Sequence, residues 1–374
     1  MRKVSGFLAF AAAIALATAS AWAQDLVVAV AGPMTGGDAT FGEQMKRGAE
    51  MAVKDINAAG GVLGKKLKLE IGDDACEPKQ ALPVANSFVQ KKVIFVAGHY
   101  CSGVSIPASA VYVENNVMQI TPASTNPRLT DEAKAKKWTT VARTCGRDDI
   151  QGVVAGKFLA DKYKGKKVAI LHDKSAYGQG IAEETKKSYN AAGQKETLWD
   201  SFNKGDKDFT ALISKMKQQA IDVVYVGTYH TELGLMVKQA REQGFNAQFV
   251  SEDAIVTEEF WKISGPAGAG LLMTFAPDPM AEPTAKAIVE KFKKEKYTPE
   301  GYTLYTYAAF QVWAEAVKKA NSTDPKKVAA QIHNKTFDTV IGKLIYDDKG
   351  DVKNSNYVWY VWGKDGKYKQ VPTM

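Results

Sequence analysis

No run of about 20 uninterrupted apolar residues, the length a membrane-spanning helix needs, occurs in the 374 residues of the chain. Histidine is scarce: His99, His172, His230 and His333 are far apart and lack metal-ligand spacing, so no metal site is expected. The sequence contains no G-x-S-x-G elbow, no G-x-x-x-x-G-K-[ST] loop and no G-x-G-x-x-G after a strand. Gly152 to Lys157 comes within one residue of a phosphate loop but falls inside a predicted helix. Neither an enzyme nor a bound cofactor is therefore expected. Charge of one sign is not concentrated either. The 49 basic residues outnumber the 41 acidic ones modestly, and pairs such as Lys65–Lys66, Lys91–Lys92 and Lys166–Lys167 sit near turns or helix ends. That pattern is a solvated surface, and it argues against a nucleic-acid partner.

The ends carry more information. Arg2 and Lys3 precede an apolar run from Phe7 to Ala17, and Ala21–Trp22–Ala23 has the small–x–small form of a signal-peptidase site. Residues 1–23 are read as a signal peptide, and the remainder as a soluble, exported chain of net charge +6 after Arg2 and Lys3 are lost from +8. The Cys count of three suits one disulfide and one leftover thiol in an oxidising compartment. Cys76 closes one predicted strand and Cys101 follows the turn of its neighbour. Strand ends of one sheet lie close, so these two are paired, a cross-link worth about 3 kcal/mol; Cys145 is left free and buried.

Apolar periodicity gives an α/β order. Leu26–Ala31 is a first strand, followed by a helix with Met45, Ala49, Ala52, Val53 and Ile56 on one face. Strand Lys66–Gly72, helix Pro78–Gln90, strand Val93–Ala97, a helix from Ser102 to about Glu114, strand Val117–Thr121 and strand Trp138–Arg143 continue it. The pattern then restarts: helices at Gln151–Lys162, Gly180–Ala192, Phe209–Ala220 and Thr231–Gln243 alternate with strands at Lys167–His172, Lys195–Asp200, Val223–Gly227, Gln248–Ser251 and Gly270–Met273. Two doubly wound parallel-sheet units in one chain of this length imply two similar lobes with a cleft between them. Helices Thr284–Glu295, Thr303–Lys319 and Pro325–Asn334, then strands Gly342–Tyr346 and Tyr357–Trp362, finish the chain.

Ligands of open α/β sheets sit beyond the carboxyl ends of the strands. Ser102, Ala123 and Thr125 occupy those ends in the first unit, and Tyr177, Tyr229 and Asp253 in the second. An acid, hydroxyls and a free helix N-terminus form a set suited to a zwitterion: Ser102, Thr125 and free N–H groups for a carboxylate, Asp253 and the Ala123 carbonyl for an ammonium. Each has a plainer alternative. Ser102 could cap its own helix and Asp253 a helix at Val256–Ile263; Tyr177 and Tyr229 could be rim packing, and Phe41 and Tyr302 core.

Asp73–Gln80 (DDACEPKQ), Gly98–Ser102 (GHYCS), Ile120–Thr125 (ITPAST), His172–Lys174, Tyr177–Gly178, Gly227–His230 (GTYH), Thr306–Ala309 and Asp347–Asp351 (DDKGD) together resemble the periplasmic leucine/isoleucine/valine-binding proteins of ABC importers, type I periplasmic binding proteins. The resemblance covers nearly the whole mature chain. It implies a Venus-flytrap of two lobes, residues 24–145 with 275–347 and 146–274 with 348–374, joined by three crossovers near Cys145, Phe275 and Asp347. It implies the same Cys76–Cys101 disulfide. It also implies that Ser102, Ala123 and Thr125 hold a free amino acid, joined on closure by Tyr229 and Asp253 with Tyr177 nearby, in a periplasmic receptor that docks a membrane-bound permease; a monomer is the simplest expectation. Two positions depart from the family. Asp253 stands where the branched-chain binders usually have Glu, and Tyr100 where they usually have leucine. With Phe41 and Tyr302, Tyr100 adds aromatic bulk to the side-chain pocket. The expected ligand is thus a branched-chain or other neutral amino acid. A smaller one of the alanine, proline or γ-aminobutyrate type is the rival, and a sensor docking a signalling partner is the alternative role.

Overall fold

The structure, a computed structural model, describes residues 24–372; the predicted signal peptide lies outside them. Strand β1 (Leu26–Gly32) is apolar on both faces and almost wholly buried, the mark of a strand covered on two sides. It is followed by α1 (Ala39–Ala58), β2 (Leu67–Asp73), α2 (Ala81–Gln90), β3 (Phe95–Gly98), α3 (Ser102–Glu114), β4 (Met118–Thr121), α4 (Arg128–Ala135) and β5 (Val141–Arg143). These five strands form one parallel sheet in the order β2-β1-β3-β4-β5, with Val28 opposite Phe95 and Ala31 opposite Gly98.

A second sheet follows from α5 (Asp148–Lys162), β6 (Val168–His172), α6 (Ala176–Ala191), β7 (Leu198–Ser201), α7 (Thr210–Gln218), β8 (Val223–Gly227), α8 (His230–Glu242), β9 (Gln248–Ser251), α9 (Glu258–Ser264) and β10 (Leu272–Phe275). The chain closes with α10 (Lys286–Lys294), α11 (Thr303–Ala320), α12 (Pro325–Ala330), β11 (Thr336–Thr339), β12 (Gly342–Ile345), β13 (Val358–Trp362) and β14 (Tyr368–Gln370). The second sheet has the order β14-β13-β10-β9-β8-β6-β7, and β13 and β14 join it antiparallel. β11 and β12 pair only with each other.

Late segments thus return to early ones. α11 packs on α1, β3 and β4, and Trp313 stacks on Phe95 with ring centroids 4.8 Å apart. Gly48 of α1 lies directly against the Thr303 carbonyl of α11, where a Cβ would collide with it. The chain enters the second sheet after Arg143, leaves it after Phe275 and re-enters it at Val358.

Local expectations needed correction at several edges. The strand placed at Trp138–Arg143 spans only Val141–Arg143, and that placed at Lys195–Asp200 begins at Leu198. The strand placed from Val93 begins at Phe95. α4 and the short strands β11 and β14, absent from the periodicity reading, carry too few apolar residues to announce themselves. No described helix is long and apolar enough to cross a membrane.

Candidate functional site

The loops beyond β3 and β4 face those beyond β6, β8 and β9, so the carboxyl ends of the two sheets meet. Tyr100, Ser102, Ala123, Tyr177, Tyr229, Asp253 and Tyr302, with Ala254, line a narrow cavity at this seam. Of the residues expected there, Phe41 and Thr125 do not border it. Phe41 lies flat against Tyr100, ring centroids 4.5 Å apart, and backs that wall. Thr125 is buried behind the loop, and its hydroxyl has no partner among the described residues.

Asp253 anchors one end. Its Oδ1 accepts from the Tyr177 hydroxyl at 2.6 Å and from Gln151 Nε2 at 3.4 Å, and its Oδ2 accepts from the Tyr302 hydroxyl. Burial pushes its pKa up from the ordinary carboxylate value, and the Tyr177, Tyr302 and Gln151 donors pull against that rise. All three donors are neutral. Asp253 is not a helix cap: it opens a 3₁₀ turn, and Thr257 caps α9 by accepting from Glu259 N.

Ser102 anchors the other end. It is the first residue of α3, the cap being Cys101, which offers no side-chain acceptor. The first-turn N–H groups are thus uncapped by a side chain. Ser102 Oγ accepts from Asn126 N at 3.3 Å, tying α3 to the loop after β4.

The Cys76–Cys101 disulfide is present, with Cα atoms 5.5 Å apart, and Cys145 is free and buried. It holds Tyr100 and Ser102 on either side of one cross-linked backbone position. Beneath it, His99 Nδ1 lies 2.7 Å from Asp74 Oδ2 and His99 Nε2 2.7 Å from the Tyr112 hydroxyl. His99 is thereby committed to the fold. Asp38 approaches both cysteine sulfurs, but two sulfurs joined to each other do not serve as thiolate ligands.

Contacts across the seam enclose the cavity. Lys204 Nζ pairs with Asp38 Oδ2 at 2.6 Å, Asn126 Nδ2 donates to the Ala176 carbonyl at 2.6 Å, the Thr40 and Thr257 hydroxyls meet at 2.9 Å, and Thr231 Oγ1 donates to the Gly37 carbonyl at 3.0 Å. Sequence reading missed Gln151, Ala254, Asp38, Lys204 and Asn126. None carries a motif; each matters only through a neighbour distant in sequence.

Residues 25–367 match the periplasmic binding protein family. The chain is 50% identical to "Leu/Ile/Val-binding protein homolog 1" of Brucella suis, over 99% of this chain and all of that one. It is 42% identical to the "leucine-, isoleucine-, valine-, threonine-, and alanine-binding protein" of Pseudomonas aeruginosa, over 99% of this chain and 98% of that one. The crystal structure of the leucine binding protein LivK of Thermotoga maritima superposes with a TM-score of 0.85 at 28% identity, covering 93% of this chain and 98% of that one. The branched-chain amino acid transporter substrate binding protein LivJ of Streptococcus pneumoniae, in complex with isoleucine, gives 0.82 at 26% identity over 93% and 99%.

Proposed function

Because the chain belongs to the periplasmic binding protein family, we propose that it is the exported receptor of an ABC importer and captures a free neutral amino acid at the seam between its two sheets. The lobes are residues 24–145 with 275–347 and 146–274 with 348–374. They close by rotation about the three crossovers, and the ligand favours the closed form because only that form supplies contacts from both sides. Ser102 and the first-turn N–H groups of α3 take the carboxylate, and the Thr125 hydroxyl, buried behind that wall with no partner among the described residues, turns onto it as the ligand enters. Asp253 and the Ala123 carbonyl take the ammonium, with Tyr177 and Tyr229 packed around it.

The observation that carries this reading is the buried Asp253 carboxylate, which among the described residues only neutral donors reach. A ligand ammonium supplies the missing positive charge. The size of the ligand follows from the walls. Four tyrosine rings, Tyr100, Tyr177, Tyr229 and Tyr302, narrow the cavity, and the stacked Phe41 and Tyr100 rings stiffen one side. Small amino acids of the alanine, proline or γ-aminobutyrate type therefore fit better than leucine.

Calorimetric titration of refolded, ligand-stripped protein with the twenty amino acids and γ-aminobutyrate tests this. Binding of small amino acids at least as tight as that of leucine is expected. Tighter binding of leucine, isoleucine and valine would reject the size argument, and binding of none would reject the amino-acid assignment. Loss of uptake in a deletion strain is expected of an importer component; retained uptake with lost signalling would make it a sensor.

A further inference from the structure

Arg143, the last residue of β5, is completely buried and never reaches the cavity. Its guanidinium instead grips the loop after β4 from below: Nη1 donates to the Ser124 carbonyl at 2.7 Å, and Nη2 to the Asn126 carbonyl at 3.1 Å and to Thr130 Oγ1 at 3.0 Å. The carbonyl between them, that of Thr125, accepts from Asp148 N at 3.0 Å. Three consecutive carbonyls are thus turned away from the cavity and held, which sets the orientation of Thr125.

The guanidinium is positioned in turn by Asp351, which lies in the segment between β12 and β13. Arg143 Nε is 2.7 Å from Asp351 Oδ1, too bent an approach for a hydrogen bond, so the attraction there is Coulombic. Asp351 Oδ2 takes Arg147 Nη1 at 2.6 Å and Thr130 Oγ1 at 3.0 Å. Burial opposes ionisation of Asp351, yet Arg143 and Arg147 outweigh it and hold the carboxyl below its ordinary value. Gly350 brings the segment in: its φ of +87° suits glycine, a Cβ there would meet the Val141 carbonyl at 2.6 Å, and its own carbonyl accepts from Arg143 N at 3.0 Å. Arg143 and Arg147 flank the first passage between the sheets, and Asp351 lies in the third.

We infer that Arg143 and Asp351 are positioning residues that couple the crossover segments to the loop holding the ligand carboxylate, so that the hinge and the binding loop move as one piece. The inference rests on the site assignment made above. A buried ion pair is weak evidence for stability, but a guanidinium spanning two carbonyls one residue apart fixes geometry, and loosening a binding group by about 1 Å has large effects.

The test uses the full mature chain, folded as judged by circular dichroism, titrated with L-alanine, L-proline, L-leucine and γ-aminobutyrate. Asp351→Asn is expected to weaken every ligand that binds by about tenfold with the order of preference unchanged, because the loop holds the carboxylate they share. Thr130→Val, which removes an acceptor of Arg143 without altering charge, is expected to do the same to a smaller degree, and it serves if Asp351→Asn does not fold. In a Thr125→Val background most of the loss caused by either variant should disappear, whereas in a Tyr177→Phe background it should persist. A purely structural role would lower the unfolding temperature and leave the affinity of the folded protein and this coupling unmoved. Thr125→Val weakened while both Asp351→Asn and Thr130→Val bind normally would overturn this inference alone. Thr125→Val binding as tightly as wild type would overturn the site assignment and this inference with it.

Discussion

Tyr302 and Asp253 meet across the seam: the phenol hydrogen of a residue just ahead of α11, which packs with the first sheet, is donated to a carboxylate at the end of β9 in the second. The acid is therefore shared between halves of the molecule, and any group entering the cavity to bind it competes with Tyr302 and Tyr177. The ammonium proposed as its partner would win that competition, because a charged partner outweighs a neutral donor in a desolvated site.

Asp253→Ala is expected to weaken amino-acid binding by about 2–5 kcal/mol, since it strips a buried ammonium of its counter-charge; calorimetry decides. The acid must also be ionised to act. Burial raises its pKa, so protons compete with the ligand as pH falls toward that raised value. Affinity should therefore decline from neutral to acidic solution, and an affinity that strengthens on acidification would exclude Asp253 as the ammonium partner.

Tyr100→Leu removes a ring that stacks on Phe41 and lies 5.5 Å from that of Tyr302. The affinity ratio of leucine to alanine should move toward leucine by about 1–3 kcal/mol, the usual effect of a methylene-scale change in a pocket. An unchanged ratio would mean that this wall does not select the side chain.

Ser102→Ala should weaken binding by about 1–3 kcal/mol, a hydrogen bond to a charged group together with its burial. Cys101 and not Ser102 is the helix cap, so the helix itself is not uncapped, and the stability change should be limited to the loss of the long Asn126 N bond to Ser102 Oγ. A large drop in unfolding temperature with unaltered affinity would reverse that assignment.

Replacing Cys76 and Cys101 by Ser releases a loop of 25 residues in sequence separation, and should lower stability by about 3 kcal/mol in denaturant melts. Cys145 should resist alkylation in the native protein and react once it unfolds. Burial is the main reason, and it also pushes the Cys145 thiol up to about 12.

Glu232 in α8 gives a stability test. Burial, with Asp38 adding to it and Lys204 opposing it, raises its pKa from 4.5 to about 7. A carboxyl that holds its proton more tightly when folded loses stability as pH rises from its unfolded to its folded value. Between about pH 4.5 and 7 this group should therefore remove up to about 3 kcal/mol. Glu232→Gln should be more stable than wild type at pH 8 and no more stable at pH 4; equal stability at both would refute the shift.

Much of this protein was legible before any coordinates. The alternation of apolar strands and amphipathic helices placed Ser102, Ala123, Tyr177, Tyr229 and Asp253 at strand ends, because burial imposes period and period is local. The pairing of Cys76 with Cys101 followed from neighbouring strands. The antiparallel attachment of β13 and β14 did not, since an edge pairing depends on which sheet a distant segment reaches. Phe41 and Thr125 show the same limit within the site: both belong to the right loops and helices, but whether a side chain faces a cavity or backs its wall depends on packing that no spacing encodes. The amino-acid order alone determined most of the strands and helices, the cross-link and which residues stand at the strand ends. Only the tertiary structure decided that Tyr302 would close on Asp253 and that Arg143 and Asp351 would meet beneath Thr125, because ion pairs and hydrogen bonds form between groups that are near in space, and chain separation says nothing of that.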